Sequence, residues 1–503
     1  MSQASTATTA TATFDERESR HFETVIGIET HVELATATKM FCACPTTFGA
    51  EPNSQVCPVC LGEPGSLPVV NGRAIEWATR IGLALNCRIA EHSQFHRKNY
   101  FYPDMPKNFQ ISQYDEPLCI GGHLDIPLEG GDLRRVGITR VHMEEDTGKT
   151  LHVGATGRIH GAEYSLVDYN RAGIPLVEIV SEPDMRSAEE ARAYAEELRA
   201  VLLALGVSDV KLEEGSMRFD VNVSIRPAGH AGLGTKVELK NLNSLRSLYR
   251  AVGYEAERQR RALAAGGQLV QETRHWDETT GRTEPMRSKE YAMDYRYFPE
   301  PDLVPIEASA EWVEGVRVRL PELPAERRAR LAEATGLGPK EVGWLARDPE
   351  VLAYFEAVSE GRDPKVAAGW VMGELQRGLR EHDRTMADNP VTPARLGELI
   401  DLVQAGTISA TAAKELLSEL FTSEASPTAI VERKGLAQIS DTTALEEVVA
   451  KVVAANPDLV AKYRGGKAGV LGALVGQVMR ETRGRANPKL VNDLLTRNMT
   501  AED

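Results

Sequence analysis

Apolar and polar positions alternate with a period of two through much of the chain's first half. The segments 23–34, 122–127, 134–143, 162–168, 176–181, 209–213, 218–225 and 235–239 read as half-buried strands, because successive strand side chains point to opposite faces. A helical period interrupts them at 72–85, 187–205 and 244–265. Strand runs with inserted helices, without regular βαβ alternation, predict an α+β fold on a mainly antiparallel sheet. Beyond about residue 305 the strand signal gives out, and from Glu311 the chain reads as short amphipathic helices opened by prolines such as Pro324 and Pro349. The expected organisation is a tail over 1–20, an α+β domain over 21–305, a helical domain over 306–405 and a helical tail over 406–503.

Composition narrows the class. The 503 residues are 42% apolar with a mean hydropathy of −0.30, as in ordinary globular proteins. No apolar run reaches the roughly eighteen residues of a membrane span, so no membrane partner is expected. Residues 1–20 are rich in Ser, Thr and Ala and lack an apolar signal core, which predicts a disordered tail and a cytoplasmic protein. The net charge of −15 argues against indiscriminate nucleic-acid binding but leaves room for a local basic patch. One candidate patch lies near the end, where Lys462, Lys467, Arg480, Arg483 and Arg485 are opposed mainly by Glu481 and Asp493.

Candidate chemistry comes from carboxylates on separate strands. Glu29, His31 and Glu33 share one face of the first strand. His142-Met143-Glu144-Glu145-Asp146 ends another, and Glu213, Glu214, Asp220 and Asn222 flank a third strand start. Crowded carboxylates repel and raise each other's pKa unless cations lie near, and hard divalent ions take oxygen ligands of this kind. Lys149, Arg171, Arg218 and Lys240 are the nearby candidates. For any single one of them, a salt bridge on a polar sheet face is the ordinary explanation. Gly148-Lys149-Thr150 ends like a phosphate-binding P-loop, but Met143 stands where that loop needs its first glycine. No dinucleotide-binding glycine loop and no nucleophile elbow is present. Carboxylates mixed with Arg and Lys remain, which is what phosphoryl transfer through Mg²⁺ requires.

Cys42-Ala43-Cys44 is followed, after twelve residues, by Cys57-Pro58-Val59-Cys60. Two close pairs across a short loop match a structural Zn²⁺ held by four thiolates. Reduced thiols or a redox pair are the alternatives, although a redox motif would be expected in a βαβ context.

Longer motifs then carry a resemblance. Val25-Ile26-Gly27-Ile28-Glu29-Thr30-His31-Val32-Glu33, Arg97-Lys98-Asn99-Tyr100-Phe101-Tyr102-Pro103-Asp104 and His142-Met143-Glu144-Glu145-Asp146 resemble the B subunits of the glutamyl/aspartyl-tRNA amidotransferases. So do Asp168-Tyr169-Asn170-Arg171, Val177-Glu178-Ile179-Val180-Ser181-Glu182-Pro183-Asp184, Glu238-Leu239-Lys240-Asn241-Leu242-Asn243-Ser244 and Asp294-Tyr295-Arg296-Tyr297-Phe298-Pro299. The resemblance spans about 21–498. It implies a catalytic fold like that of glutamine synthetase and a YqeY-like helical tail that holds tRNA. It implies a heterotrimer too, in which the partners are a glutamine-hydrolysing amidase and one further small protein. The activity it implies is that ATP and Mg²⁺ phosphorylate the side-chain carboxylate of Glu on tRNA(Gln) or Asp on tRNA(Asn), and ammonia displaces the phosphate.

With that chemistry in view, Glu29, His31, Glu144, Glu145 and Glu213 are expected to form the Mg²⁺ and ATP-phosphate site. Asp220, Asn222 and Lys149 would contact the nucleotide, and Arg218 and Lys240 would stabilise the transferring group. Lys462, Lys467, Arg480, Arg483 and Arg485 would hold tRNA, and Cys42, Cys44, Cys57 and Cys60 the zinc. The competing functions are an ATP-dependent ligase on free glutamate and a non-catalytic, zinc-containing tRNA scaffold.

Overall fold

The computed structural model describes residues 22–154, 161–286, 294–436, 442–482 and 486–500. The tail expected over 1–20, Arg483 and Arg485 lie outside the described residues. The chain divides into two compact units, Met1–Pro324 and Ala325–Asp503.

The first unit is built on one sheet of thirteen strands. Ten of them matter here: β1 (Phe22–Glu33), β2 (His92–Asn99), β3 (Phe109–Glu116), β4 (Cys119–Pro127), β5 (Leu133–Glu145), β6 (Pro175–Ser181), β7 (Met217–Pro227), β8 (Val237–Lys240), β9 (Glu272–Asp277) and β10 (Arg282–Pro285). Their order is β10-β9-β8-β7-β1-β6-β5-β3-β2, with β4 paired to β5. Among the described strands only the β8–β9 pair is parallel. The mixed α+β, mainly antiparallel architecture is therefore as the alternation implied.

Alternation gives the sheet two unlike faces. Ile26, Ile28 and Val32 of β1, Val177 and Ile179 of β6, Val141 and Met143 of β5, and Phe219, Val221 and Val223 of β7 join one buried cluster. Helices α1 (Gly72–Ala84), α2 (Ala188–Leu205) and α3 (Leu245–Ala264) add Ala78, Ile81, Tyr194, Leu198, Leu248 and Val252 to it. Burying each large apolar side chain stabilises this face by about 1.5–3 kcal/mol. The helices begin where side chains can cap them: Ser187 accepts from the Glu190 amide, and Ser244 from the Ser247 amide. Gly206, at φ 66, closes α2 in the left-handed region that glycine tolerates best. The opposite face is polar, and it carries the site.

Two features depart from the expected pattern. The segment 209–213 is not a strand: residues 212–215 form a turn closed by Gly215 at φ 83, with the Ser216 hydroxyl accepting from the Lys211 amide. Local side-chain bonds of this kind outcompete a sheet ladder. Strands β2, β3, β9 and β10 carried little signal because many of their buried positions are themselves polar: Ser93 and His96 in β2, Gln110, Ser112 and Gln113 in β3, and Thr283 in β10, while β9 buries only Trp276.

The second unit is helical. Its first hydrophobic cluster runs from Leu331 to Val431 and crosses position 405, since Leu396, Leu399 and Ile400 before it pack with Leu416, Leu417 and Leu420 after it. A separate cluster begins at Leu445 and ends at Met499. No helix of the described residues is long and apolar enough to cross a membrane.

Candidate active site and metal clip

The sheet register assembles the polar face. Glu29 lies opposite Asp220, His31 opposite Arg218 on one side and Glu178 on the other, and Glu178 in turn opposite His142. Residues paired in this way share a face. The His31 Nε2 is 3.7 Å from the Glu178 carboxylate. His142 Nε2 lies 3.3 Å from Glu144 Oε1 and 3.4 Å from Glu178 Oε2. His142, Glu144 and Glu178 each bring a ligand atom within 4.8 Å of the others, a spacing compatible with one divalent ion. Among the described residues the buried Nδ1 of His142 has no hydrogen-bond partner.

Glu144 is fixed from three sides, accepting from Ser112 Oγ at 2.8 Å and Gln110 Nε2 at 2.9 Å in addition to its His142 contact. Burial disfavours its charge, but His142 and Lys98 outweigh that and hold its pKa below the usual carboxylate value. Glu29 accepts from Asn222 Nδ2 at 3.0 Å; burial, then the charge of Glu178, pushes its pKa up. Lys240 donates to Asp220 Oδ2 at 3.2 Å and lies 3.5 Å from Glu238. Burial opposes its charge, yet the two carboxylates raise its pKa. A cavity of about 200 Å³ adjoins this corner, lined by Gly27, Glu29, Val180, Pro183, Asn222 and Lys236 among others.

Next to these groups Glu33 and Asp146 form a carboxyl pair. Arg218 Nη2 donates to Asp146 Oδ2 at 2.7 Å, and Arg171 Nε is 3.7 Å from the same oxygen. Burial, then the Asp146 charge, pushes Glu33 up to about 9, while Arg218 and Arg171 overcome burial and bring Asp146 down to about 2. A carboxyl raised in the fold loses stability as pH climbs from about 4.5 towards about 9, whereas a lowered one loses it only as pH falls towards about 2. Glu33→Gln, which cannot ionise, is therefore expected to lose less thermal stability than the parent between about pH 5 and pH 9. A Tm difference that stays constant across that range would mean Glu33 is charged in the fold.

The expected site residues divide. Glu29, His31, Glu144, Arg218, Asp220, Asn222 and Lys240 share the polar face. Glu145 does not: alternation turns it with Val141 and Met143 to the other face, where it is buried, pairs with Lys107 and accepts from the Ile111 amide. Glu213 is exposed in its turn. Lys149 is exposed at the start of the strand Lys149–Gly154, which pairs with Ala162–Asp168 in a separate two-stranded sheet. Glu178 was missed as a site residue, although it is a lone carboxylate between Val177 and Ile179 in an otherwise apolar strand.

Elsewhere in this unit the four cysteines converge. Cys60 Sγ lies 3.6 Å from Cys42, 3.7 Å from Cys57 and 3.8 Å from Cys44, and all four sulfurs lie within 4.8 Å of one another. A tetrahedron with about 2.3 Å metal–sulfur bonds has edges of about 3.8 Å, so the sulfur set fits one tetrahedral ion. The one-turn helix Pro58–Leu61, closed by Gly62 at φ 66, turns Cys60 back towards Cys57. The Cys42 contact and then the Lys39 ammonium, against burial, draw the Cys60 thiol down to about 4, while the same contact pushes Cys42 up, so the negative charge of the cluster sits on Cys60 beside Lys39.

Basic residues of the tail are on the surface. Lys462 is in the last turn of the helix Pro457–Arg464, Lys467 follows it, and Arg480 is in the last turn of Leu471–Glu481; all three are exposed.

Fold and site together define an α+β protein whose sheet presents a histidine–carboxylate face, with a four-cysteine clip in the same unit and a helical second unit. The family described as "GatB/GatE catalytic domain" matches residues 24–314, and that described as "GatB domain" matches 353–499. The B subunit of the aspartyl/glutamyl-tRNA(Asn/Gln) amidotransferase of Carboxydothermus hydrogenoformans is 52% identical over 477 residues, covering 95% of this chain and 98% of the relative. The proteins of the same description from Moorella thermoacetica and Thermobifida fusca are 54% and 53% identical, covering 94% and 95% of this chain and 99% and 94% of their own lengths. The chain belongs to the family of amidotransferase B subunits.

Proposed function

We propose that this chain, as the B subunit of a glutamine-dependent amidotransferase, uses ATP to phosphorylate the side-chain carboxylate of Glu on tRNA(Gln) or Asp on tRNA(Asn). The acyl phosphate is then amidated. The observation that carries the reading is the convergence of Glu29, His31, His142, Glu144 and Glu178 on one sheet face, flanked by Arg218 and Lys240. A free carboxylate is a poor acceptor for ammonia because oxide would have to leave. Transfer of the γ-phosphoryl group to a carboxylate oxygen makes phosphate the leaving group when ammonia attacks the acyl carbon.

Glu144 and Glu178, with His142 between them, would hold a divalent ion, and Glu29, held by Asn222, would add a further oxygen donor of the kind Mg²⁺ prefers. Bound Mg²⁺ supplies charge neutralisation along the nucleotide phosphates. Arg218 and Lys240 add positive charge where the transferring group becomes negative. The cavity beside Glu29, with its Val180 and Pro183 walls, suits the nucleotide's base. Cys42, Cys44, Cys57 and Cys60 hold a structural Zn²⁺, since four thiolates leave no open position for water. The exposed Lys462, Lys467 and Arg480 contact tRNA phosphates, a sequence-independent role that tolerates the chain's overall acidity.

The test is reconstitution with the amidase and the small third protein, using ATP, glutamine and each misacylated tRNA. ATP-dependent formation of a γ-glutamyl or β-aspartyl phosphate on tRNA, followed by the amide, is the expected result. Amide formation without ATP would refute the mechanism. Phosphorylation of free glutamate at the same rate would shift the assignment to a ligase that needs no tRNA.

A further inference from the structure

The residues 39–60 that carry the cysteines also grip a second loop, 168–173. Lys39 is only 1% exposed, and its ammonium donates to Cys60 Sγ at 3.5 Å and to the Tyr169 carbonyl at 3.2 Å. The Met40 amide donates to the Gly173 carbonyl at 2.7 Å. At the surface, the Asn53 amide donates to Asp168 Oδ1 and the Asn53 side chain accepts from the Tyr169 amide. The Gln55 amide donates to Asn170 Oδ1 at 2.8 Å.

Bracketed in this way, the loop sends one long side chain towards the sheet. Arg171 donates to the carbonyls of Thr147 at 3.0 Å and Gly148 at 2.9 Å, and its Nε reaches Asp146. Asp146 also receives Arg218 and faces Glu33. A continuous set of short contacts thus leads from the sulfurs through Lys39 and Tyr169 to Arg171 and the carboxyl pair.

We propose that the four-cysteine clip is a positioning element for this site: through Lys39 and Asn53 it fixes the loop 168–173 and thereby aims Arg171 at Asp146. The proposal rests on the phosphoryl-transfer reading only for its catalytic consequence. A Zn²⁺ bound by four thiolates leaves about two net negative charges, and Lys39 is the buried cation that offsets them while ordering a ligand. Contacts to metal-bound sulfur and to a backbone carbonyl from one ammonium make metal and loop move together.

Hydrogen exchange of the full chain in its assembled complex, zinc-loaded and after treatment with a zinc chelator, is the direct measurement. Amides of 168–174 are expected to exchange at least about tenfold faster without zinc, while those of β7 stay protected. Unchanged exchange over 168–174 would overturn the proposal. Should chelation unfold the unit as a whole, Asn53→Gly decides the question: Asn53 has φ 58, so glycine keeps the backbone, and the cysteines are untouched. That variant is expected to retain one zinc per chain, exchange faster over 168–174, and lose roughly tenfold to a hundredfold in amidation kcat. Wild-type exchange in Asn53→Gly would overturn the role of the loop contacts. Lys39→Met should bind zinc about 10- to 100-fold more weakly in competition with a chromogenic chelator. Unaltered zinc affinity would remove Lys39 from the linkage. If exchange responds but the parent makes no ATP-dependent acyl phosphate, the mechanical coupling stands and the functional reading falls.

Discussion

In the proposed reaction Glu144→Gln is expected to lower kcat for amidation by on the order of 10²–10³, with glutamine hydrolysis by the proposed amidase partner unchanged. The substitution keeps the side chain's shape but removes the charge that His142 and Lys98 stabilise. It also replaces one of the acceptors that Ser112 and Gln110 address with a third donor. Because the lost charge lies where Glu178 and His142 converge, the effect should fall on the phosphorylation step. Single-turnover measurement of the acyl phosphate separates that step from ammonia delivery. Full amidation by Glu144→Gln would dismiss this face of the sheet as the reaction site.

The adjacent residue should behave differently. Glu145→Ala is expected to destabilise the first unit by about 3–5 kcal/mol, since it leaves the Lys107 ammonium buried without its partner. The side chains of Lys107 and Glu145 are 8% and 4% exposed, so solvent screens the loss little. The Ile111 amide loses its acceptor in the same change. Replacing both members with apolar residues, Lys107→Met with Glu145→Leu, should recover much of the stability because neither charge is then buried. Chemical denaturation of the parent, the single variant and the double variant checks this. A single variant as stable as the parent would show that the pair contributes nothing. Two neighbouring glutamates therefore separate cleanly, Glu144 through turnover and Glu145 through stability.

That separation shows how far the sequence could be read. In Val141-His142-Met143-Glu144-Glu145, strand alternation already assigns His142 and Glu144 to one face and Met143 and Glu145 to the other. The three adjacent acids look like one cluster along the chain, but the pleat divides them between the two faces. Glu29 and His31 were legible because a polar face was interleaved with Ile28 and Val32. Glu178 was not marked as a site residue because a single charge in Pro175–Ser181 carries no periodic signal. Lys107 sits in the loop before β3, and no local pattern marks it as a buried partner. Lys39 is harder still: nothing about a lysine between Thr38 and Met40 announces that its ammonium will reach a sulfur and a carbonyl in two other segments.

The sequence by itself determined what each segment could become. Period-two alternation produced strands with one apolar and one polar side, prolines and capping serines set helix starts, and the cysteine spacing was enough for a four-sulfur clip. Those are local matters, settled by backbone geometry and by which side chains must leave water. Tertiary structure alone decided which polar side chains meet. The pairing of Glu29 with Asp220, of His31 with both Arg218 and Glu178, and of Glu178 with His142 depends on strand order and register between segments that are mostly far apart in the chain. A shift of one residue in any of those ladders would turn the carboxylates into the core and the core into solvent. Burial of the apolar face therefore fixes the register, and the register composes the site.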